Sequence, residues 1–483
     1  MRYPGVNAID VSVQCTGPNP RIGPGIPKDH AMVLYTSGST NTPKGIILRH
    51  EGILNLVESV GQVYNLDEMT CALQQSAATF DMCYAQMFMS LGYGGSVVLL
   101  PRDLRGDPLA IPEIIAREGV TFTNATPTEY SSWLRYGNSD LMRNSQWNTA
   151  ISGGEHVRAT LLQQFQQLGL STLRVFNSYG PTEITWGVTS GELLHGKERI
   201  QKSGISAGNV LPNYSVYLLD GDLRSVPPGI PGEIYIGGPG VAAGYLNDPS
   251  LSSERFKRDI FAPQHLAAKG WTMMHRTGDS GRWNRDGTLV IEGRTGDDTQ
   301  VKLRGFRFDL RDIEHAIIDA AANSISEAVV SVRRSSLNDP EFLVAHVKVD
   351  RPPDLEDRAQ LLRSLPSLLP LPHYMLPLAV LPVEEFPRTT SSKLDRRAVA
   401  ALPLPAPTHG VQDPDVGLND DQRQLRDIWL SVIPVTPQEP IVPTTDFFHI
   451  GGTSLLLVQL QAALKKKLGV KVQLAKLLKA SML

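Results

Sequence analysis

Between about residues 31 and 243, short apolar runs alternate with stretches of helical periodicity. Gly95–Leu100 (Gly-Ser-Val-Val-Leu-Leu) and Val120–Asn124 read as strands, while Ile111–Glu118 and Thr160–Leu168 read as helices. Ala31–Val33 reads as a buried strand, and an apolar run after Gly45 leads into a helix over Glu51–Val60. That alternation predicts a layered α/β body. Near residues 210–244 strands and turns become denser. Val216–Leu219 and Glu233–Ile236 read as short strands, and Pro227-Pro228-Gly229 and Pro231-Gly232 supply the turns.

A second, smaller pattern begins near Asp298. Gln300–Phe308 alternates as a strand pair, Leu310–Ala321 has helical spacing and Phe342–Val349 reads as a strand, which together predict a compact α+β unit. A proline-rich stretch, Leu365–Pro387, leads to a charged coda over Thr389–Val399. Residues 403–418 have linker composition. Beyond them Asp421–Val432 and Ser454–Leu468 are amphipathic helical patterns, as in a small all-α bundle. The expected fold class is multidomain: an α/β body over 1–297, an α+β subdomain over 298–400, a linker over 401–418 and helices over 419–483. Residues 1–30 read as irregular, and no internal repeat is present.

A chain of 483 residues is too long for one compact core. Its net charge of −3 gives no reason to expect nucleic acid or an anionic membrane as partner. Three cysteines (Cys15, Cys71, Cys83) without a Cys-x-x-Cys pair indicate neither a disulfide framework nor a zinc site. No apolar run is long enough to span a bilayer, and the first residues lack the apolar core of a signal peptide. The expected setting is reducing and cytoplasmic.

Two strings carry candidate chemistry. In Leu34–His50, four hydroxyl side chains fall within five residues (Thr36, Ser37, Ser39, Thr40), with Gly38 among them and Lys44 shortly after. Such a loop can aim several N–H groups and hydroxyls at one anion, with a positive charge beside it, which suits a phosphate chain. The order is not that of a Walker loop. An ordinary solvated Ser/Thr turn is the competing reading for the composition alone. The second string, Asn177-Ser178-Tyr179-Gly180-Pro181-Thr182-Glu183, reads as a turn holding an aromatic face, a hydroxyl and a carboxylate. A carboxylate beside phosphate is useful where a hard cation such as Mg²⁺ bridges the two.

The ordered loop string resembles the phosphate-loop signature of the adenylate-forming superfamily, which includes acyl-CoA synthetases, luciferases and the adenylation domains of nonribosomal peptide synthetases. This chain has Asn41 where the family has Gly. The second string is similar to another motif of that family. The resemblance implies that Tyr179 stacks on adenine, that Thr182 contacts phosphate and that Glu183 holds Mg²⁺. Arg276-Thr277-Gly278-Asp279 resembles the motif whose Asp binds the ribose hydroxyls, and Gly293-Arg294 the segment whose Arg reaches the ribose. Gly232-Glu233 through Gly244-Tyr245 and Leu371–Pro377 match structural segments. Pro387–Arg396 resembles the closing motif, so Lys393 is the implied catalytic cation, with Ser392 where the family prefers Gly. Asp298 looks like the hinge about which the small subdomain rotates. ATP and Mg²⁺ are the implied cofactors.

Two features select a branch of the superfamily. By resemblance, Asp81 in Phe80-Asp81 pairs with the α-amino group of an amino acid, a helix-capping Asp being the alternative. Asp446–Leu455 resembles the phosphopantetheine attachment site of a carrier domain, with Ser454 opening a helix whose dipole favours a phosphodiester. The implied pocket residues are Asp81, Met82, Ala85, Ala125, Ile151, Gly153, Ser178, Trp186 and Gly187. Small residues predominate and none beyond Asp81 is charged, so a bulky, aromatic or large aliphatic amino acid is expected. Implied partners are a phosphopantetheinyl transferase and neighbouring condensation or reductive-release domains. Leu48-Arg49-His50 and Arg304–Glu314 resemble fungal polyketide–peptide synthetase hybrids. Only about thirty residues precede the phosphate loop, and the chain stops soon after Leu474, so a body truncated at its N-terminus and a short carrier are expected. A non-catalytic remnant and an acyl- or aryl-acid ligase are the competing functions.

Overall fold

The computed structural model describes residues 29–36, 43–193, 205–295, 299–303, 306–321, 324–334, 341–349, 361–362, 364–366, 368–388, 394–404, 417–433, 441–443, 445–447, 450, 452, 454–479 and 482–483. They form two compact units, the second beginning at Thr299.

In the first unit a seven-stranded sheet runs in the order Ser96–Leu99, Cys71–Gln74, Phe122–Ala125, Thr149–Gly153, Arg174–Tyr179, Thr189–Glu192 and Asn209–Val210. The first five strands are parallel and the last two antiparallel. Helices Asp81–Leu91, Ala110–Arg117, Pro127–Tyr136 and Ala159–Leu168 make the crossovers that parallel strands require. The alternation of side chains feeds two apolar cores. One gathers Met82, Ala85, Ile151 and Phe176; the other gathers Ile114, Ala125, Trp133, Trp147 and Phe165. The chain leaves Cys71–Gln74 for the sheet edge and then returns to its other side at Phe122–Ala125. Ligands of such sheets bind outside the carboxyl ends of the strands, at the point where the order reverses.

Two antiparallel sheets complete this unit. One holds Ser215–Leu219, Gly232–Gly237, Met273–Trp283 and Phe256–Arg258, with Leu289–Arg294 also paired to Met273–Trp283. The other is His30–Thr36, Lys44–Arg49 and Gly244–Tyr245. The buried strand expected at Ala31–Val33 is instead part of an edge strand. Leu34 is buried while Val33 and Tyr35 are exposed, because an antiparallel edge can leave one face in water.

In the second unit the hairpin Gln300–Leu303/Phe306–Asp309 precedes the helix Leu310–Ala320. Ile325–Arg333 pairs antiparallel with Phe342–Val349, which pairs in parallel with Ala379–Pro382. Ile313 and Ile317 share a core with Val330, Ala345 and Val347. A separate core of Ile428, Trp429, Phe447, Leu457 and Leu460 unites the helices Asp420–Val432, Ser454–Leu468 and Leu474–Lys479.

Candidate active site

Asp81 is the first residue of its helix, and the N-cap is Phe80, without a side-chain cap. The Asp81 Oδ2 accepts a 2.7 Å hydrogen bond from the Thr182 hydroxyl, with both residues buried. Thr182 opens a short 3₁₀ turn, Thr182–Ile184, just beyond the carboxyl end of Arg174–Tyr179. Asn177, Ser178 and Tyr179, read from sequence as part of a turn, complete that strand instead. The chain then doubles back sharply. A Cβ on Gly180 would lie 2.4 Å from the Trp186 carbonyl oxygen, and Thr185 and Trp186 both adopt positive φ (59° and 78°). Such backbone is costly for non-glycine residues and often accompanies functional sites.

Register brings most of the expected pocket together. Gly153 pairs with Ser178 and Ile151 with Phe176, so these four share one face of the sheet. A Cβ on Gly153 would stand 3.5 Å from Met82 Cε, and one on Gly187 would stand 3.0 Å from Ser178 Oγ. Met82, Ala85, Ile151 and Trp186 belong to one apolar core. Ala125 does not join them. It pairs with Ser152 on the opposite face and packs into the second core. In a strand the side chains alternate, so a shift of one residue changes the face. The preceding residue, Asn124, pairs with Ile151 and takes the pocket face. Counting parity along Phe122–Ala125 from the apolar Phe122 would have found it.

A second cluster forms around Tyr179. Its hydroxyl donates a 2.6 Å hydrogen bond to Asp279 Oδ2, and Arg294 Nη1 donates at 2.8 Å to Asp279 Oδ1. Asp279 and Arg294 are directly opposite on neighbouring strands. Burial, followed by the Asp279 carboxylate, pushes the Tyr179 phenol well above its ordinary range. Thr277 orients the turn: its Oγ1 accepts from the Asp279 N–H at 3.0 Å and donates to the Ile234 carbonyl at 2.8 Å. Gly278 between them has φ 74°, and a Cβ there would come within 3.2 Å of Arg294 Nη2. The three residues singled out for adenine and ribose thus converge.

Thr36 and Lys44 face one another across an antiparallel pair, so the hydroxyl-rich segment spans a strand-to-strand connection. Ser37, Gly38, Ser39, Thr40, Asp298 and Lys393 lie outside the described residues. Glu183 is buried, and its Oε1 accepts a 3.0 Å hydrogen bond from the Tyr245 hydroxyl. Tyr245 pairs with Ile46 on the strand leaving that connection, a link the sequence did not disclose. Among the described residues no group of three or more His, Cys, Asp or Glu could hold a metal. A hard carboxylate such as Glu183 fits Mg²⁺, which draws its other ligands from phosphate oxygens and water. In the second unit Ser454 is the first residue of its helix.

Residues 8–246 match the family model of AMP-binding enzymes, and residues 423–482 match that of the phosphopantetheine attachment site. The chain belongs to the AMP-binding, adenylate-forming ligases and carries a phosphopantetheine carrier domain. That family implies ATP with Mg²⁺, and the carrier domain implies 4′-phosphopantetheine. The adenylation–carrier chain is 42% identical to the hybrid PKS-NRPS synthetase thnA of Trichoderma harzianum over 99% of its length. It is 43% identical over 94% of its length to the polyketide synthase-nonribosomal peptide synthetase pyiS of Pyricularia grisea. It spans about 12% and 11% of those two relatives. Among solved structures it resembles holo-PA1221, an NRPS protein containing adenylation and PCP domains. The TM-score is 0.72 and the identity 26%, covering 94% of this chain and 71% of that one. No helix among the described residues is long and apolar enough to cross a membrane.

Proposed function

We propose that this adenylation–carrier chain activates an α-amino acid as its aminoacyl-AMP and loads it as a thioester on phosphopantetheine at Ser454. The observation that carries the reading is the 2.7 Å hydrogen bond from Thr182 to Asp81. It joins the carboxylate suited to an α-ammonium group with the hydroxyl suited to a phosphate. An incoming ammonium group would place an opposite charge beside this buried carboxylate and favour its ionised form.

In the first half-reaction the substrate carboxylate attacks the α-phosphate and pyrophosphate leaves. Such transfers depend mainly on positioning and on neutralising charge. Asp279 and Arg294 would hold the ribose, Tyr179 the adenine, and the hydroxyl loop with Lys44 the phosphates. Lys393 would join substrate carboxylate and phosphate. For the second half-reaction Ser454 would carry the phosphopantetheine, which would supply the thiol that takes the acyl group with AMP as leaving group, and Asp298 would serve as the hinge of the small subdomain. The small residues around Met82 support a large substrate side chain. The names of the relatives and the small share of them that the chain spans support a place within a longer synthetase; a cytoplasmic setting, neighbouring condensation or reductive-release domains and a phosphopantetheinyl transferase as partner of the carrier domain belong to the same proposal.

Amino-acid-dependent exchange of pyrophosphate into ATP tests this reading. Exchange with one or a few amino acids is expected. Retained ATP binding with no exchange for any proteinogenic amino acid would favour a non-catalytic remnant.

A further inference from the structure

The Tyr245 hydroxyl donates to Glu183 Oε1 at 3.0 Å, with both residues buried, and the chain around Tyr245 holds that hydroxyl in place. The Tyr245 N–H donates to Ser252 Oγ at 2.8 Å, and the same hydroxyl donates to the Asp248 carbonyl at 2.6 Å. The Tyr245 ring packs edge-on against Phe256, with centroids 5.3 Å apart. On either side of it, the N–H groups of Ala243 and Leu246 donate to the carbonyls of Ile47 and Gly45 at 2.8 and 2.7 Å. Gly45 directly follows Lys44, where the strand leaving the hydroxyl-rich connection begins.

Glu183 is held through its main chain as well, its carbonyl accepting from the Ala242 N–H at 2.9 Å. One short segment, 242–246, therefore grips Glu183 by backbone and side chain and also grips the strand that begins at Lys44. The turn after Glu183 is braced from nearby, since Thr185, at positive φ, donates its hydroxyl to the Gly240 carbonyl at 2.8 Å. Satisfying a buried carboxylate is the ordinary role of such a donor. For stability alone, an apolar pair of the same shape would serve about as well. A carboxylate fixed this firmly is instead suited to hold a cation, because metal-ligating carboxylates are themselves oriented by hydrogen bonds.

We infer that Tyr245 is a positioning residue: its hydroxyl holds the Glu183 carboxylate in one orientation for Mg²⁺ and ties it to the strand that begins at Lys44. The inference rests on the reading of Glu183 as the Mg²⁺ carboxylate and adds the residue that orients it.

Calorimetric titration of the whole chain with ATP, without amino acid, tests it, once in excess Mg²⁺ and once in EDTA. Tyr245→Phe keeps the ring against Phe256 and removes only the hydroxyl. It should weaken ATP binding by ~10-fold in Mg²⁺, the scale for losing an outer contact of a metal ligand, and by less than about threefold in EDTA. In a Glu183→Gln background the same change should add less than about threefold, since the two residues act as one unit. Should Tyr245→Phe not fold, 4-fluorophenylalanine at position 245 fills the space of the hydroxyl without donating and is held to the same figures. Equal losses in Mg²⁺ and EDTA, or a full loss persisting in the Glu183→Gln background, mark a merely structural role and overturn the inference. Unchanged affinity in Mg²⁺ does the same. If the parent binds ATP no better in Mg²⁺ than in EDTA, or if Glu183→Gln binds it as the parent does, the reading of Glu183 itself fails and takes this inference with it.

Discussion

Tyr179 and Asp279, 100 positions apart in sequence, meet through a 2.6 Å hydrogen bond in the interior of the first unit. With Arg294 on its other oxygen, Asp279 is a fixed carboxylate whose acceptors suit a vicinal diol. Asp279→Ala should weaken ATP binding by ~10-fold or more, the scale of a hydrogen bond to a charged group. Tyr179→Phe keeps the ring face and should change it by less than about threefold. Calorimetric titration with ATP checks both. Equal ATP affinity in the parent and Asp279→Ala would remove Asp279 from the nucleotide site.

The Thr182–Asp81 contact leads to a different split. Asp81→Ala should raise the KM for the amino acid by ~30-fold to 1,000-fold, as loss of one partner of a buried charge pair does. ATP affinity should stay within about threefold. Pyrophosphate exchange across both substrate concentrations separates the two. Undiminished exchange with a simple carboxylic acid would instead revive the acyl-acid ligase reading.

Glu129 supplies a pH dependence of stability. It closes the capping box of the Pro127–Tyr136 helix, its Oε2 accepting from the Thr126 N–H at 2.8 Å. Burial pushes its carboxyl from 4.5 to about 7. Between those values the folded protein holds more protons than the unfolded chain, so the contribution of protonated Glu129 is complete below 4.5 and is lost as pH rises through about 7. Glu129→Gln keeps an acceptor for Thr126 without a charge. Melting curves should nearly coincide near pH 5, and the variant should melt higher by ~2 °C or more at pH 8. A constant offset across that range would contradict the assignment.

Gly180 tests the backbone of the same site. A Cβ there would meet the Trp186 carbonyl at 2.4 Å, and a main-chain atom cannot step aside as a flexible side chain can. Gly180→Ala should cost ~1–3 kcal/mol in urea unfolding, the usual scale of overpacking. Exchange activity should fall with it, because Thr182 follows two residues later.

Local order and periodicity made much of this legible. Leu310–Ala320 and Ser454–Leu468 form the helices their spacing implied, and Thr182, Glu183 and Asp279 could be singled out from short strings. What escaped depends on contacts between distant segments. Ile325–Arg333 is a strand through its pairing with Phe342–Val349, a contact that exists only in three dimensions. Tyr245 gave no sign of reaching Glu183, because that contact depends on its pairing with Ile46. Asn124 and Ala125 differ by one position, and one position in a strand is the opposite face.

In the proposed function one chain both selects an amino acid and carries it. Intact-protein mass spectrometry tests this directly. The chain is treated first with a phosphopantetheinyl transferase and coenzyme A, then with ATP, Mg²⁺ and each amino acid in turn. The expected result is a gain of one phosphopantetheine, absent in Ser454→Ala, followed by the added mass of one aminoacyl group for a selected amino acid. That second gain should be lost in Asp81→Ala. A phosphopantetheine gain with no aminoacyl gain for any proteinogenic amino acid would contradict it.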